Sequence, residues 1–273
     1  MSKFFAFLLV LLCIFSFAAA EDMDEEYGEV VLGDPAELSE LLDEMLDSEP
    51  YIPDDLEKTI FGSDDRTTIK KTSQYPYSAI AYLKVKAKCG CNWTGSGFMV
   101  SKYGMLTAAH CLVCKEHNQW VDKMTAYFGY RSSKNYTYRY KDKFTYWYGT
   151  NPYSTGRYDS LNDYAYLKLN KNVAKKVGAF GIRYASSAPD GQYFNVAGYR
   201  DGKLKTVNGR VSVYSNLLFK HNLDTEPGNS GGPVFDNDYY AVGINVSESA
   251  SANYAHRITA DMGREMHQNG LFD

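Results

Sequence analysis

Gly228-Asn229-Ser230-Gly231-Gly232-Pro233 and Leu106-Thr107-Ala108-Ala109-His110-Cys111 decide how this chain is read. The first string sets a serine among glycines and closes the turn with a proline. Glycines tolerate backbone angles and close approaches that a Cβ resists. They also let backbone N–H groups converge on one point, which suits an oxyanion hole. The second string supplies a histidine between small residues and a cysteine. A serine hydroxyl is a weak nucleophile and needs a base within hydrogen-bond reach. The base needs a third group to fix its tautomer and stabilise its cation.

Asp163, in Asn162-Asp163-Tyr164-Ala165-Tyr166-Leu167, is the best third member. It heads the apolar run Ala165 to Leu169, which reads as a buried strand. A carboxylate at the mouth of such a strand is partly desolvated and still able to reach a histidine. Asp159 and Asp142 are weaker substitutes. The many short Tyr/Val/Thr runs separated by Gly and Asn predict a β-rich fold.

The order His110, Asp163, Ser230 resembles that of the chymotrypsin-like serine proteases. The stretches Ile60-Phe61-Gly62-Ser63-Asp64-Asp65-Arg66 and Tyr75-Pro76-Tyr77-Ser78-Ala79-Ile80 resemble the mature start of the glutamyl endopeptidase branch. The resemblance runs from about Ile60 to the C-terminal segment. It implies an all-β fold of two six-stranded antiparallel β-barrels with the site between them and a C-terminal helix. It implies that Ser230 attacks a peptide carbonyl, that His110 moves the proton, that Asp163 orients His110, and that Gly228 and Ser230 N–H groups receive the oxyanion. An N-terminal segment that wraps the body and ends near the specificity pocket is implied as well. No metal or organic cofactor is expected.

Two features bear on activation and specificity. Asn229 precedes the nucleophile where trypsin-type enzymes carry an Asp paired by the freed N-terminal amine, so that charge switch cannot be repeated here. Thr225 and Asn245 are the expected pocket residues of the glutamyl reading, in which a His stands at the position of Asn245. Asp224, six residues before Ser230, instead predicts Arg/Lys preference if read as a pocket acid, and Glu248 would favour the same residues. An esterase would share the Gly-x-Ser-x-Gly spacing, but its His would come last in the chain. A catalytically silent binding protein on the same fold would usually lack a triad member.

Composition divides the 273 residues. Residues 1–20 read as a signal peptide: Lys3, an apolar run from Phe4 to Phe17, then Ala18-Ala19-Ala20. Residues 21–58 carry 16 acidic residues and one basic residue, whereas residues 59–273 sum to +10. The acidic segment reads as a propeptide with a helix over Leu38, Leu41, Leu42, Met45 and Leu46, begun by Asp34-Pro35. It is the candidate inhibitor of the basic domain, which is expected to be secreted, or luminal in a granule or lysosome. Residues 59–273 suffice for one two-barrel domain.

Protein or peptide substrates are the expected partners. No membrane partner is expected, nor nucleic acid, because the Tyr- and Lys-rich stretch from Tyr127 to Tyr166 reads as strand and loop surfaces. Cys89, Cys91, Cys111 and Cys114 remain after Cys13 leaves with the signal peptide, an even set that allows three pairings. An oxidising compartment favours disulfides, with zinc as the rival reading of Cys-x-Cys and Cys-x-x-Cys. The family resemblance implies Cys91–Cys111 and Cys89–Cys114, with the crossed pairing open. Asn92 and Asn135 head sequons open to glycosylation, whereas Asn245, in a third, is expected bare. Ile258 to Gln268, closed by Asn269-Gly270, reads as a terminal helix.

Overall fold

The computed structural model describes residues 60–147, 160–184, 191–248 and 251–272. The expected signal peptide, the acidic leader and Asp159 lie outside these residues. Sixteen strands carry the described chain: β1 (Thr67–Thr68), β2 (Ile80–Ala87), β3 (Asn92–Met99), β4 (Gly104–Thr107), β5 (Val113–Cys114), β6 (Gln119–Phe128), β7 (Tyr138–Tyr140) and β8 (Phe144–Trp147), then β9 (Ala165–Leu169), β10 (Gly181–Ile182), β11 (Gln192–Arg200), β12 (Lys203–Val213), β13 (Leu218–His221), β14 (Pro233–Phe235), β15 (Tyr240–Glu248) and β16 (Asn253–Arg257).

They form two sheets. In the second, β12, β11, β14, β15, β16 and β13 pair in that order, and β13 pairs back onto β12, closing a six-stranded barrel. The first runs β5-β6-β2-β3-β4-β9-β8, with β7 on β6, and curls as a half-barrel without a closing ladder among the described residues. The double-barrel, all-β architecture implied by the sequence is present. The run Ala165–Leu169 is indeed a strand, buried at four of its five positions.

Each sheet wraps its own apolar interior: Leu83, Met105, Phe128 and Leu167 in the first, Phe194, Val211, Phe219 and Val234 in the second. A third cluster joins them. Ile80, Phe98 and Leu106 of the first barrel meet Tyr199, Phe235 and Ile244 of the second, and the terminal helix Ala260–Gln268 adds Met262 and Met266. Burial on this scale, at roughly 25 cal/mol per Å² of apolar surface, is what holds the barrels in register. The helix is capped by Thr259, whose side chain accepts from the Met262 N–H, and the Tyr166 hydroxyl of β9 donates to its Glu265. Tyrosines of the Tyr-rich stretch pack on one another and on β2. Tyr127 packs edge-on against Tyr130 and Tyr136, and the Lys84 ammonium lies over the Tyr82, Tyr127 and Tyr130 rings.

The segment before β2 crosses both barrels. β1 pairs with β12 through Thr67↔Thr206, and the Ile69 N–H donates to Leu204 at 2.9 Å. Thr72 Oγ1 then donates to the Gly129 carbonyl of the first barrel at 3.0 Å. This is the wrapping segment implied by the sequence.

His221, on β13, is buried. Burial pushes its pKa down to about 4, against a backbone interaction at Leu223. The folded imidazole thus stays neutral while an unfolded one binds a proton below about pH 6.5. Stability present above that pH is lost as pH falls toward 4, by on the order of 3 kcal/mol. Denaturant titrations of an inactive Ser230→Ala chain should show this loss, and His221→Leu in the same background should flatten it.

Candidate active site

His110 lies in a 3₁₀ turn, Ala109–Leu112, directly after β4. Asp163 lies two residues before β9, the neighbour of β4. Adjacent strands therefore deliver the two residues to one sheet edge. The Asp163 carboxylate accepts twice from His110: from the backbone N–H at 2.9 Å and, at 2.6 Å, from ring Nδ1. The Asp163 side chain is 4% exposed and that of His110 23%. Burial alone would raise the Asp163 pKa, but the imidazolium charge and the hydrogen bonds from His110 outweigh it and hold the carboxyl below its usual value. Burial likewise disfavours the imidazolium, and the charge of Asp163 overcomes it, so His110 titrates well above 6.5. Asp142 is not a substitute. It pairs with Lys171 at 2.6 Å, which pulls its pKa down to about 2.

Ser230 arrives from the second barrel, in the loop between β13 and β14. One residue of the first barrel fastens this loop, and the sequence reading missed it. Ser96 on β3 is fully buried. Its N–H donates to the Ser230 carbonyl at 2.8 Å, its hydroxyl donates to the Gly228 carbonyl at 2.7 Å, and it accepts from the Tyr199 N–H at 2.8 Å. The signal was Gly95-Ser96-Gly97: glycines inside a strand mark close backbone approach. A Cβ at Gly95 would lie 2.7 Å from the sulfur of Cys111, and one at Gly97 would lie 3.0 Å from the Leu106 carbonyl. The Cys111 thiol in turn reaches the Ser230 carbonyl at 3.5 Å, so the residue next to His110 touches the nucleophile position.

The backbone N–H groups of the loop divide into two sets. The N–H groups of Asn229, Gly231 and Gly232 donate to Glu226, Asn245 and Asn229 carbonyls at 2.8, 2.7 and 2.9 Å. Those of Gly228 and Ser230 donate to no group among the described residues. Gly228 has φ +98, and a Cβ there would meet the Tyr199 carbonyl at 2.8 Å, so the turn requires glycine.

A second feature missed in the sequence is Arg66, whose side chain is 2% exposed. Its guanidinium binds Asp64 through Nε and Nη2 (2.8 and 2.9 Å), Glu226 at 2.5 Å, and the Asn229 side-chain oxygen at 3.2 Å. Hydrogen bonds from Arg66 and Lys205 hold the Asp64 carboxyl well below the usual carboxylate range. The neutral amide before the serine is thus bound by a cation from the N-terminal segment.

Asp224 has a different role from the pocket acid considered above. Its two oxygens accept the Phe61 and Asp65 N–H groups at 2.7 and 2.9 Å. The carboxylate is buried and committed to the N-terminal segment, and the Asp65 carboxyl is pushed up by desolvation and by Asp224 beside it. Thr225 is buried next to it in sequence. Asn245, on β15, brackets the nucleophile loop through its backbone and is 1% exposed, with neither side-chain amide atom bonded among the described residues. Burial this deep leaves no room for a glycan there.

The geometry does not fit the Cys91–Cys111 pairing that the resemblance implied. All four cysteines are free thiols. The sulfur of Cys111 packs against Gly95, four residues along β3 from Cys91, or about 13 Å at strand rise, too far for a disulfide. Cys89, Cys91 and Cys114 gather elsewhere, with His117.

The structure joins His110 to Asp163 on one barrel and sets Cys111, the residue after His110, against the Ser230 loop of the other. The family model for the trypsin-like peptidase domain matches residues 95–244, and the chain belongs to that family. It is similar to an extracellular metalloprotease of Bacillus subtilis (28% identical, covering 75% of this chain and 67% of the relative). It is also similar to glutamyl endopeptidases of Bacillus licheniformis (27%, 66% and 55%) and Staphylococcus aureus (24%, 68% and 51%). The matches thus span from about half to two thirds of these relatives. Among solved structures, that of a Glu endopeptidase in complex with MPD superposes with a TM-score of 0.68 at 22% identity, covering 77% of this chain and 99% of that one. The protease Anisep from Arthrobacter nicotinovorans gives 0.60 at 19%, covering 72% and 97%.

Arg66→Ala should lower stability by about 3 kcal/mol, at the low end for a broken buried ion pair because Asp64 is a third exposed. Arg66→Lys should not restore it, since one ammonium cannot serve Asp64, Glu226 and Asn229 together. Differential scanning calorimetry reads both. Ser96→Ala leaves the Tyr199 N–H and Gly228 carbonyl without their partner, at about 1–3 kcal/mol each. It should reduce kcat more than it raises KM, as steady-state kinetics would show.

Proposed function

We propose that the chain is a secreted serine endopeptidase made with an acidic inhibitory leader, with His110, Asp163 and Ser230 as its triad. The observation that carries this reading is the Asp163-anchored imidazole beside a serine loop whose Gly228 and Ser230 N–H groups are left without protein partners among the described residues. Ser230 Oγ attacks the scissile carbonyl while His110 Nε2 accepts its proton. The proton then passes to the leaving amine, and water repeats the cycle on the acyl-enzyme. Asp163 keeps Nδ1 protonated and stabilises the imidazolium. Because the same carboxylate raises the His110 pKa, the acid limb of activity lies above pH 6.5.

Cleavage after acidic residues is the favoured specificity. The names of the glutamyl endopeptidase relatives support it, as does Asn245, a buried amide with a free donor on the strand facing the serine loop. Thr225, also buried, is the other proposed pocket residue. Asp224 gives the Arg/Lys alternative little support, since both its oxygens hold the N-terminal segment. That attachment also suggests how processing arms the site. Phe61, Asp65 and Arg66 reach the loop before Ser230, so the way the chain enters at Ile60 is coupled to the oxyanion loop. The leader's charge of −15 against +10 for the remainder would hold it to the domain until cleavage, an attraction weakened by salt.

An organophosphonate should label the processed wild type and not Ser230→Ala. A peptide library scored at the residue before the cut should return Glu and Asp. Absence of labelling would refute the triad, and Arg/Lys preference would refute the pocket alone.

A further inference from the structure

Cys89 and Cys91 occupy the turn between β2 and β3, a tight reversal in which the Ala87 N–H donates to Cys91 at 2.9 Å and the Gly90 N–H to Ala87 at 3.0 Å. Cys114 ends β5, and His117 stands in the turn into β6. The two hairpin tips meet. The three sulfurs and a His117 ring nitrogen all lie within 4.8 Å of one another. His117 Nδ1 is 3.5 Å from both the Cys91 and the Cys114 sulfur.

That spacing has a chemical meaning. A tetrahedral zinc with Zn–S of about 2.3 Å and Zn–N of about 2.0–2.1 Å separates S from N by roughly 3.5–3.6 Å and S from S by roughly 3.8 Å. A disulfide would instead draw two sulfurs to about 2.05 Å, and here all are thiols. Three thiolates and an imidazole are a soft donor set suited to zinc. The fourth cysteine stands apart, its sulfur turned to Ser230.

We propose that Cys89, Cys91, Cys114 and His117 form a closed, structural Cys₃His zinc site that staples the β2–β3 turn to the segment following His110. Binding releases three thiol protons, so the loaded site carries a net charge of −1, flanked in sequence by Lys88 and Lys115. Its position gives it a mechanical role. Cys114 lies four residues beyond His110 and three beyond Cys111, whose carbonyl accepts from the Trp93 indole at 3.1 Å on the strand leaving the Cys91 turn. The metal fixes both ends of the 3₁₀ turn's surroundings without touching the reacting atoms. Its coordination sphere is full, so it takes no part in the hydrolysis.

The test uses the full chain carrying Ser230→Ala, which cannot cleave itself. After exposure to Zn²⁺ and desalting, elemental analysis should give one zinc per chain. Co²⁺ in its place should give thiolate-to-cobalt charge transfer and tetrahedral visible bands. His117→Ala should hold zinc about tenfold or more less tightly against a competing chelator, whereas Cys111→Ser should keep full stoichiometry. Chelation should lower the melting temperature of the parent, and that of His117→Ala should fall at a lower chelator concentration. Substoichiometric zinc in the folded parent, or an intact mass two hydrogens lower per bond with alkylation-resistant cysteines, would overturn the proposal in favour of disulfides. Neither result bears on the triad, because Ser230 is already replaced.

Discussion

The buried Ser96 is the point on which the site depends. It belongs to the first barrel, yet its backbone and hydroxyl hold Ser230, Gly228 and Tyr199 of the second. The His110–Asp163 pair on one barrel and Ser230 on the other can act together, as proposed, only if the two barrels keep a fixed separation. Apolar burial between the barrels supplies the attraction, but it is non-directional. The three hydrogen bonds of Ser96 supply direction, and the glycines around it supply the space. Gly231 shows how little slack remains: a Cβ there would lie 2.2 Å from the Ser96 carbonyl.

The N-terminal segment is a second constraint, applied from the far side of the loop. Arg66 and the backbone of Phe61 and Asp65 hold Glu226, Asn229 and Asp224, the residues that lead into the nucleophile. The serine loop is thus fixed by β3 on one face and by this segment on the other. A neutral Asn229 fits such an arrangement better than an aspartate would stand in isolation. Its side-chain oxygen accepts from both the guanidinium and the Glu226 N–H, and its amide reaches the Tyr199 carbonyl at 3.3 Å.

How legible each part was depended on distance along the chain. His110, Asp163 and Ser230 were readable because each sits in a local string whose composition reports its role, respectively small residues, a strand mouth and a glycine turn. Asp163 could be ranked above Asp142 from the apolar run behind it, and the Lys171 pairing of Asp142 agrees. The glycines around Ser96 marked a close approach without saying what approaches, and Arg66 left no mark. Both work through partners more than a hundred residues away, and neither a serine in a strand nor an arginine after two aspartates announces such partners. Position relative to Ser230 left Asp224 open between a pocket acid and a residue facing elsewhere, and only the fold gave its direction. The cysteines show the same gap. Spacing counted four thiols, while the geometry separated Cys111 and brought in His117.

The sequence by itself supplied the residues proposed for the chemistry, a serine among glycines, a histidine and an aspartate at a strand mouth, and a β-rich chain to carry them, because these follow from residue type and local pattern. The tertiary structure alone decided what those residues face. It turned Asp224 toward the N-terminal segment, set Ser96 beneath the nucleophile, and assembled three cysteines with a histidine. Those outcomes rest on strand pairing and barrel packing, which act between residues that no local window contains.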